Sequence, residues 1–414
     1  MVAQLRWPIL GIIVPCVLIA GIGYGSHLFV LRHSLSHQKQ IAFEVSLSLL
    51  WISYLFAIHV DPGYPPDNFE PRPGEWRRWC KKCQNYKPER SHHCKTCNRC
   101  VLQMDHHCPW TYNCVGAKNM GHFMRFLFWI LVNTGFVFIE LSKRAMEFYE
   151  DRNLPAYLID KKELVAVIVL LPLDIFVNFA ILILFVRCLS NWVFKGMTQI
   201  EQWEHERIES QLHTERMWLQ IRKNYIHLHG HEMPVLTSWN QNARFYSEDR
   251  GSEEEADELD YVEDVDNASS EYHQKTSVVP QDFTIDDFVF PYDLGIVKNA
   301  INTFNYPWMW LFPWTSVRQS GYRFEKNEYA EDDQVGLPWP PDGGHQEYAP
   351  DPDIDLDNLD VSELRNLRQL KKRLDPRSKL DRKDWVNGLG ETLGDYGVDL
   401  DAEDVENDQL VMIK

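Results

Sequence analysis

The sequence predicts an all-α polytopic membrane protein: four transmembrane helices, with a cytosolic cysteine-rich domain between helices 2 and 3. Three observations predict it. Four stretches are apolar and long enough to cross a bilayer, which takes roughly 20 residues: about Ile9–Leu31, Ile41–Val60, Phe123–Ile139 (slightly beyond at each end) and Leu164–Leu189. Seven of the nine cysteines fall between Cys80 and Cys114, inside the linker that joins the second stretch to the third. That linker, from Asp61 to His122, also carries ten Lys or Arg, the charge bias that marks a cytosolic loop.

The elements follow in order. Residues 1–60 hold helices 1 and 2. The first apolar run is too long for a signal-peptide core, and no small-residue cleavage site follows it. The second stretch contains Glu44 and the fourth Asp174, so neither is uniformly apolar. Asp61-Pro62-Gly63-Tyr64-Pro65-Pro66 stops helix 2 and opens the cysteine-rich domain of 61–122. Residues 123–194 hold helices 3 and 4. The Lys and Arg bias puts both termini in the cytosol with that domain, where thiols stay reduced.

The mean hydropathy of -0.37 hides a segregated chain, because nearly all strongly apolar stretches precede residue 195. Residues 195–245 read as a juxtamembrane segment. Its polar stretch Glu201 to Lys223, dotted with Trp203, Ile208, Leu212, Met217 and Leu219, is expected to form a helix near the head groups. Residues 246–285 form an acidic, disordered insert: Glu248 to Asp266 holds eleven acids against one Arg. Residues 286–320 carry the run Phe304, Tyr306, Trp308, Trp310, Phe312 and Trp314, expected to dock on the membrane domain or at its interface. Residues 321–414 read as an acidic, partly disordered tail, with a second acidic tract at Asp351 to Asp360 and a short basic helix over Leu364 to Arg373. No internal repeat is apparent. The net charge of -18 argues against nucleic acid as a partner.

The ligand-type residues run Cys80-x2-Cys83-x9-His93-Cys94-x2-Cys97-x2-Cys100-x4-Asp105-His106-His107-Cys108-x5-Cys114. Cysteine pairs two residues apart can pinch one tetrahedral zinc. Two four-ligand sites need eight groups. Six cysteines and two of the four histidines (His92, His93, His106, His107) would fill them and leave Cys108 over. A spare thiol beside a histidine is free to react. Other readings stay open at this point. Cys108 is a ligand too, or the tract is a non-catalytic, membrane-anchored zinc adaptor or scaffold. Iron–sulfur fits histidine-containing double sites poorly, and a transporter would leave the cysteine tract unexplained.

The stretch from Cys80 to Phe123, with Asn119 also in register, resembles the cysteine-rich domain of the DHHC family of protein S-acyltransferases. With the four helices, the resemblance covers roughly half the chain. It implies one zinc site from Cys80, Cys83, His93 and Cys100 and another from Cys94, Cys97, His107 and Cys114. It implies that Cys108 is acylated, that His106 is the base and that Asp105 orients it. Thr198 and Glu201 match the family's Thr-Thr-x-Glu motif, with Gln199 replacing the second Thr. Tyr292 to Asn299 resembles its C-terminal segment, where Asn299 would bond to backbone of the membrane domain.

The implied function is protein S-palmitoylation: a palmitoyl or other long-chain acyl group moves from acyl-CoA to protein cysteines through acyl-Cys108, with two structural zinc ions. Partners would be membrane lipids and protein substrates with membrane-proximal cysteines; an accessory subunit is possible but not implied. The resemblance is to a fungal member resident in the endoplasmic reticulum, with the Golgi as the second location. The residues that bind CoA stay unknown; Arg77, Lys81 and Lys118 are suitable for its phosphates, and Phe126, Trp129, Phe176 and Phe179 for the wall of an acyl cavity.

Overall fold

Four helices in the computed structural model are long and apolar enough to cross a membrane: α1 (Ile9–Ser34), α2 (His37–His59), α3 (Met120–Asn153) and α4 (Lys161–Phe194). The structure describes residues 8–72, 75–155, 157–234, 236, 279–280, 283–306, 308–312, 314–315, 320–330, 335–344, 367, 370–371 and 374–404. Both acidic tracts and most of the expected basic helix over 364–373 lie outside them.

The first unit gathers residues up to Glu204, the stretch Tyr292–Asn327 and the part from Val386 onward. Its apolar core runs through all four helices and includes Leu47, Leu50, Phe123, Leu127 and Val137. α3 outruns its apolar stretch, because its far end carries polar residues that pair. Arg144 there binds Glu163 of α4 at 2.7 Å. At about 1.5 Å of rise per residue, a 34-residue helix exceeds the bilayer core and needs this polar extension. At its other end α1 approaches the zinc-type domain closely. A Cβ on Gly11 would stand 2.0 Å from the Pro109 carbonyl oxygen, so only glycine fits there.

The linker between α2 and α3 folds as three β-hairpins. They are β1 (Arg78–Cys80) with β2 (Asn85–Lys87), β3 (His92–Cys94) with β4 (Arg99–Val101), and β5 (His106–Cys108) with β6 (Asn113–Val115). The hairpins begin at Arg78, His92 and His106, fourteen residues apart each time. The absence of a repeat expected from sequence is therefore corrected. Each tight turn ends on a residue with positive φ, namely Gln84, Asn98 and Tyr112. The repeat also shows in side chains: Cys80, Cys94 and Cys108, Cys83 and Cys97, His93 and His107, and Cys100 and Cys114 each stand fourteen residues apart. A short strand, β7 (Glu403–Asp404), joins β1 antiparallel.

After α4 come α5 (Gln199–Gln211) and α6 (Glu215–His229). The single helix near the head groups is corrected in two respects. The stretch breaks between them, and Trp203, Ile208, Leu212 and Met217 are buried within protein, leaving only Leu219 of the five exposed. The second unit, His205–Pro291 with Glu328–Trp385, has its own core of Ile208, Trp218, Ile221, Phe283, Phe288 and Val335. Helix α7 (Ile296–Phe304) belongs to the first unit. Trp310, just beyond it, packs edge-on to Phe128 of α3 at 4.9 Å, while Trp308, Phe312 and Trp314 stay exposed.

Candidate active site and metal centres

The hairpins bring the ligand-type residues into two sets, Cys80, Cys83, His93, Cys100 and Cys94, Cys97, His107, Cys114, with the donor atoms of each set within 4.8 Å of one another. Zinc bonds of about 2.3 Å to sulfur and 2.0–2.1 Å to nitrogen imply tetrahedral edges of roughly 3.5–3.8 Å. His93 Nδ1 lies 3.3 Å from both Cys80 Sγ and Cys83 Sγ and 3.8 Å from Cys100 Sγ. His107 Nδ1 lies 3.7, 3.5 and 3.6 Å from the sulfurs of Cys94, Cys97 and Cys114. The sets fit two structural zinc ions. Three sulfurs and one imidazole complete each, leaving no position for water.

The fourteen-residue register explains Cys108. It stands in its hairpin where Cys80 and Cys94 stand in theirs, yet it belongs to neither set. Thr111 takes the place held by Cys83 and Cys97. In the metal hairpins the backbone N–H of that residue donates to the first cysteine, Cys83 to Cys80 Sγ at 3.4 Å and Cys97 to Cys94 Sγ at 3.3 Å. Thr111 keeps the position but not the metal, and its hydroxyl donates to the Cys108 carbonyl at 3.4 Å. The third hairpin is thus a zinc hairpin with one cysteine missing and the other released.

Cys108 is buried against the membrane-helix core, two residues after His106 on the same strand, β5. Burial pushes its thiol up, but His106 and Thr111 outweigh burial and hold it below the ordinary value. Burial likewise pushes the His106 imidazole down, but Asp105 and Cys108 outweigh it and raise the ring to about 10. Both shifts favour a thiolate beside an imidazolium.

Asp105 is fully buried and accepts from three elements. His106 Nδ1 is 2.8 Å from one carboxylate oxygen. The other accepts from Trp192 Nε1 at 2.6 Å and from the Gln199 backbone N–H at 2.9 Å. The π-helical last turn of α4, Ser190–Phe194, carries Trp192. The Gln199 N–H opens α5, whose positive helix end favours the carboxylate. Because the backbone donates, glutamine at 199 leaves this contact intact.

Thr198 and Glu201 form a capping box at the start of α5. Thr198 Oγ1 accepts from the Glu201 N–H at 3.2 Å, and Glu201 Oε2 accepts from the Thr198 N–H at 2.8 Å. Arg90, between the first two hairpins, donates to both Glu201 oxygens at 2.6 and 2.5 Å and to the Gly196 carbonyl at 2.8 Å. Its guanidinium also lies 4.6 Å from the centre of the Tyr292 ring. Asn299 donates to the Val193 carbonyl at 3.1 Å, fastening α7 to the end of α4.

Other contacts fix the third hairpin to the helices. Asn113 Nδ2 reaches the Ile58 and Val60 carbonyls at 3.1 and 2.9 Å, acceptors that a helix end leaves unpaired. Tyr54 of α2 donates to the Trp110 carbonyl at 2.9 Å. Sequence reasoning missed Arg90, Trp192, Asn113 and Tyr54. The Thr-x-x-Glu box marks a helix start, but nothing local marks its arginine partner.

A cavity of about 470 Å³ opens between the four helices, with Cys108 in its wall. Its lining follows α3 from Phe123 to Val137, about 21 Å of helix at 1.5 Å per residue. Phe126 and Phe176 line it, whereas Trp129 and Phe179 do not. Arg77 donates to the Tyr86 hydroxyl, and no CoA subsite is defined by it, Lys81 or Lys118. Asp174 is buried with neither carboxylate oxygen hydrogen-bonded among the described residues. Cys188 is fully buried, as a packing residue would be.

Comparison with known proteins agrees with this geometry. The family model described as "DHHC palmitoyltransferase" matches residues 75–206. The palmitoyltransferase PFA4 of Debaryomyces hansenii is 59% identical over 99% of this chain and 98% of that one. Those of Candida albicans and Saccharomyces cerevisiae are 43% and 40% identical, each over 97% of this chain and the whole of the relative. Acyl-CoA-dependent S-palmitoylation through a cysteine intermediate is accordingly the chemistry of this chain, which belongs to the DHHC palmitoyltransferase family.

Proposed function

We propose that Cys108 is the acyl carrier, His106 the general base and Asp105 the group that orients it. One observation carries this reading. The cysteine left out of both metal sets lies in the wall of an apolar cavity and beside a histidine that a buried carboxylate holds.

The Cys108 thiolate attacks the carbonyl of a long-chain acyl-CoA. A thioester forms at Sγ, and the CoA sulfur leaves with the proton that His106 carries. A substrate cysteine then gives its proton to His106 and attacks acyl-Cys108. The acyl group passes to the substrate, and Cys108 leaves as thiolate, so His106 ends as it began. Zinc, when bound, supplies rigidity to the hairpins. His107 and Cys114 belong to one metal set, which holds the hairpin of Cys108 in place. The cavity takes the acyl chain, at about 0.8 kcal/mol per buried methylene.

The substrates follow from this placement: protein cysteines close to the membrane surface on the side of the zinc domain. The Lys and Arg of that domain support a cytosolic position for it, and the resemblance to a resident fungal member supports the endoplasmic reticulum membrane.

The test is labelled palmitoyl-CoA given to purified enzyme, wild type and Cys108→Ser, with zinc content checked. Hydroxylamine-sensitive label on the wild type alone is expected, and it should move to an added substrate cysteine. Equal label on both proteins would remove Cys108 from its role.

A further inference from the structure

The segment Val386–Asp404 meets all three hairpins through backbone. β7 pairs with β1, and Lys81 N–H donates to the Ala402 carbonyl at 3.2 Å. On the second hairpin, Asp399 N–H donates to the His93 carbonyl at 2.8 Å, and Lys95 N–H to the Gly397 carbonyl at 2.9 Å. On the third, His107 N–H donates to the Tyr396 carbonyl at 2.8 Å. Gly397, at φ +89°, passes so close that a Cβ there would stand 2.7 Å from the His107 Cβ.

The same segment is fastened to α4. Arg187 donates to Glu391 at 3.2 and 2.7 Å and to the Tyr396 hydroxyl at 2.9 Å. The Tyr396 hydroxyl donates to Glu391 at 2.6 Å. Five residues further along α4, Trp192 holds Asp105. A closed ring results: α4, Trp192, Asp105, His107, Tyr396, Arg187 and back to α4. His106 sits in the chain between its two pinned points, Asp105 and His107.

We propose that Val386–Asp404 is a working part of the catalytic domain and that Tyr396 is a positioning residue for acyl transfer. Its carbonyl fixes the strand that carries His106 and Cys108, and its hydroxyl fixes that carbonyl to α4. The proposal rests on the assignment of Cys108 and His106 to the chemistry. Misplacing a reacting group by about 1 Å can cost on the order of a hundredfold in rate. The ring therefore acts on turnover, while acyl-CoA affinity and metal content stay as they are.

The experiment uses the full chain in detergent, comparing wild type, Gly397→Ala, Tyr396→Phe and Cys108→Ser. Zinc per chain and the rate of self-acylation against palmitoyl-CoA concentration are measured. Gly397→Ala is expected to keep two zinc ions and an unchanged KM while kcat falls at least about tenfold. Tyr396→Phe, which keeps the backbone bond, is expected to lose less, on the order of threefold. Wild-type kcat in both variants overturns the proposal. So does zinc loss in Gly397→Ala with an unaffected Tyr396→Phe, which would make the segment a brace for metal alone. Label on Cys108→Ser equal to wild type would instead sink the assignment of Cys108, so the two failures are distinguishable.

Discussion

Asp105 accepts hydrogen bonds from His106, Trp192 and the Gln199 backbone. An asparagine has the same shape, but its amide would meet one of these three donors with a donor of its own. The imidazole would then lose either its orientation or its proton partner. In a serine protease triad the corresponding change costs about 10⁴ in kcat. Asp105→Asn is expected to slow self-acylation by about 10²–10⁴ with two zinc ions retained. Single-turnover labelling measures this, and a wild-type rate would show that His106 does not depend on the carboxylate. Arg90 makes a similar point about legibility. Its guanidinium joins Glu201, Gly196 and Tyr292, residues more than a hundred positions away. No local pattern can announce such a partner.

At the scale of elements, the hairpins were legible as chemistry but not as shape. The spacing of cysteines and histidines gives enough ligands for two four-ligand sites with Cys108 left over, while leaving open that Cys108 is itself a ligand. Strands of three residues with polar and metal-binding side chains show no alternation for a reader to find. Their order comes from metal ligation, and this sets one expectation. Cys97→Ser should lower zinc from two ions to one and abolish self-acylation although Cys108 is intact. His107 and Cys114, which share that set, would no longer be held. Zinc analysis beside labelling checks it; full activity with one zinc would contradict it.

The terminal segment reads as acidic tail because its partners, Arg187 and the three hairpins, lie some two hundred residues or more away along the chain. Its pH response follows from Glu391. Burial pushes this carboxyl up, but Arg187, Tyr396 and Asn387 outweigh burial and hold it at about 2. A carboxyl depressed on docking adds stability that is complete above its ordinary value of 4.5 and is lost as pH falls toward about 2. Protection of residues 386–404 from hydrogen exchange, taken relative to the unstructured rate at each pH, should therefore stay high at neutral pH and fall below about pH 4.5. Glu391→Gln should flatten that change, and an identical profile would sink this account.

At the scale of the molecule, the four apolar stretches fixed the membrane helices to within a few residues at most ends. The cavity between them could not be read in advance. Two of the four aromatic residues expected in its wall face it, because a helix without polar stripes gives no sign of which side meets lipid. The structure supplies that side, and with it a measure of chain length. Val137 is fully buried, lines the cavity and lies fourteen positions beyond Phe123 along α3. Phe123 packs against the His106 ring at 5.4 Å, so Val137 marks the distant part of the cavity. Val137→Trp would fill space that the last methylenes of a long chain need. Each methylene kept out forfeits about 0.8 kcal/mol, or roughly fourfold in affinity. Excluding three or four of them should lower use of palmitoyl-CoA by on the order of a hundredfold while shorter acyl-CoAs are used as before. Self-acylation across a series of chain lengths reads this directly. An unchanged profile in a folded, zinc-loaded variant would mean that the acyl chain lies elsewhere.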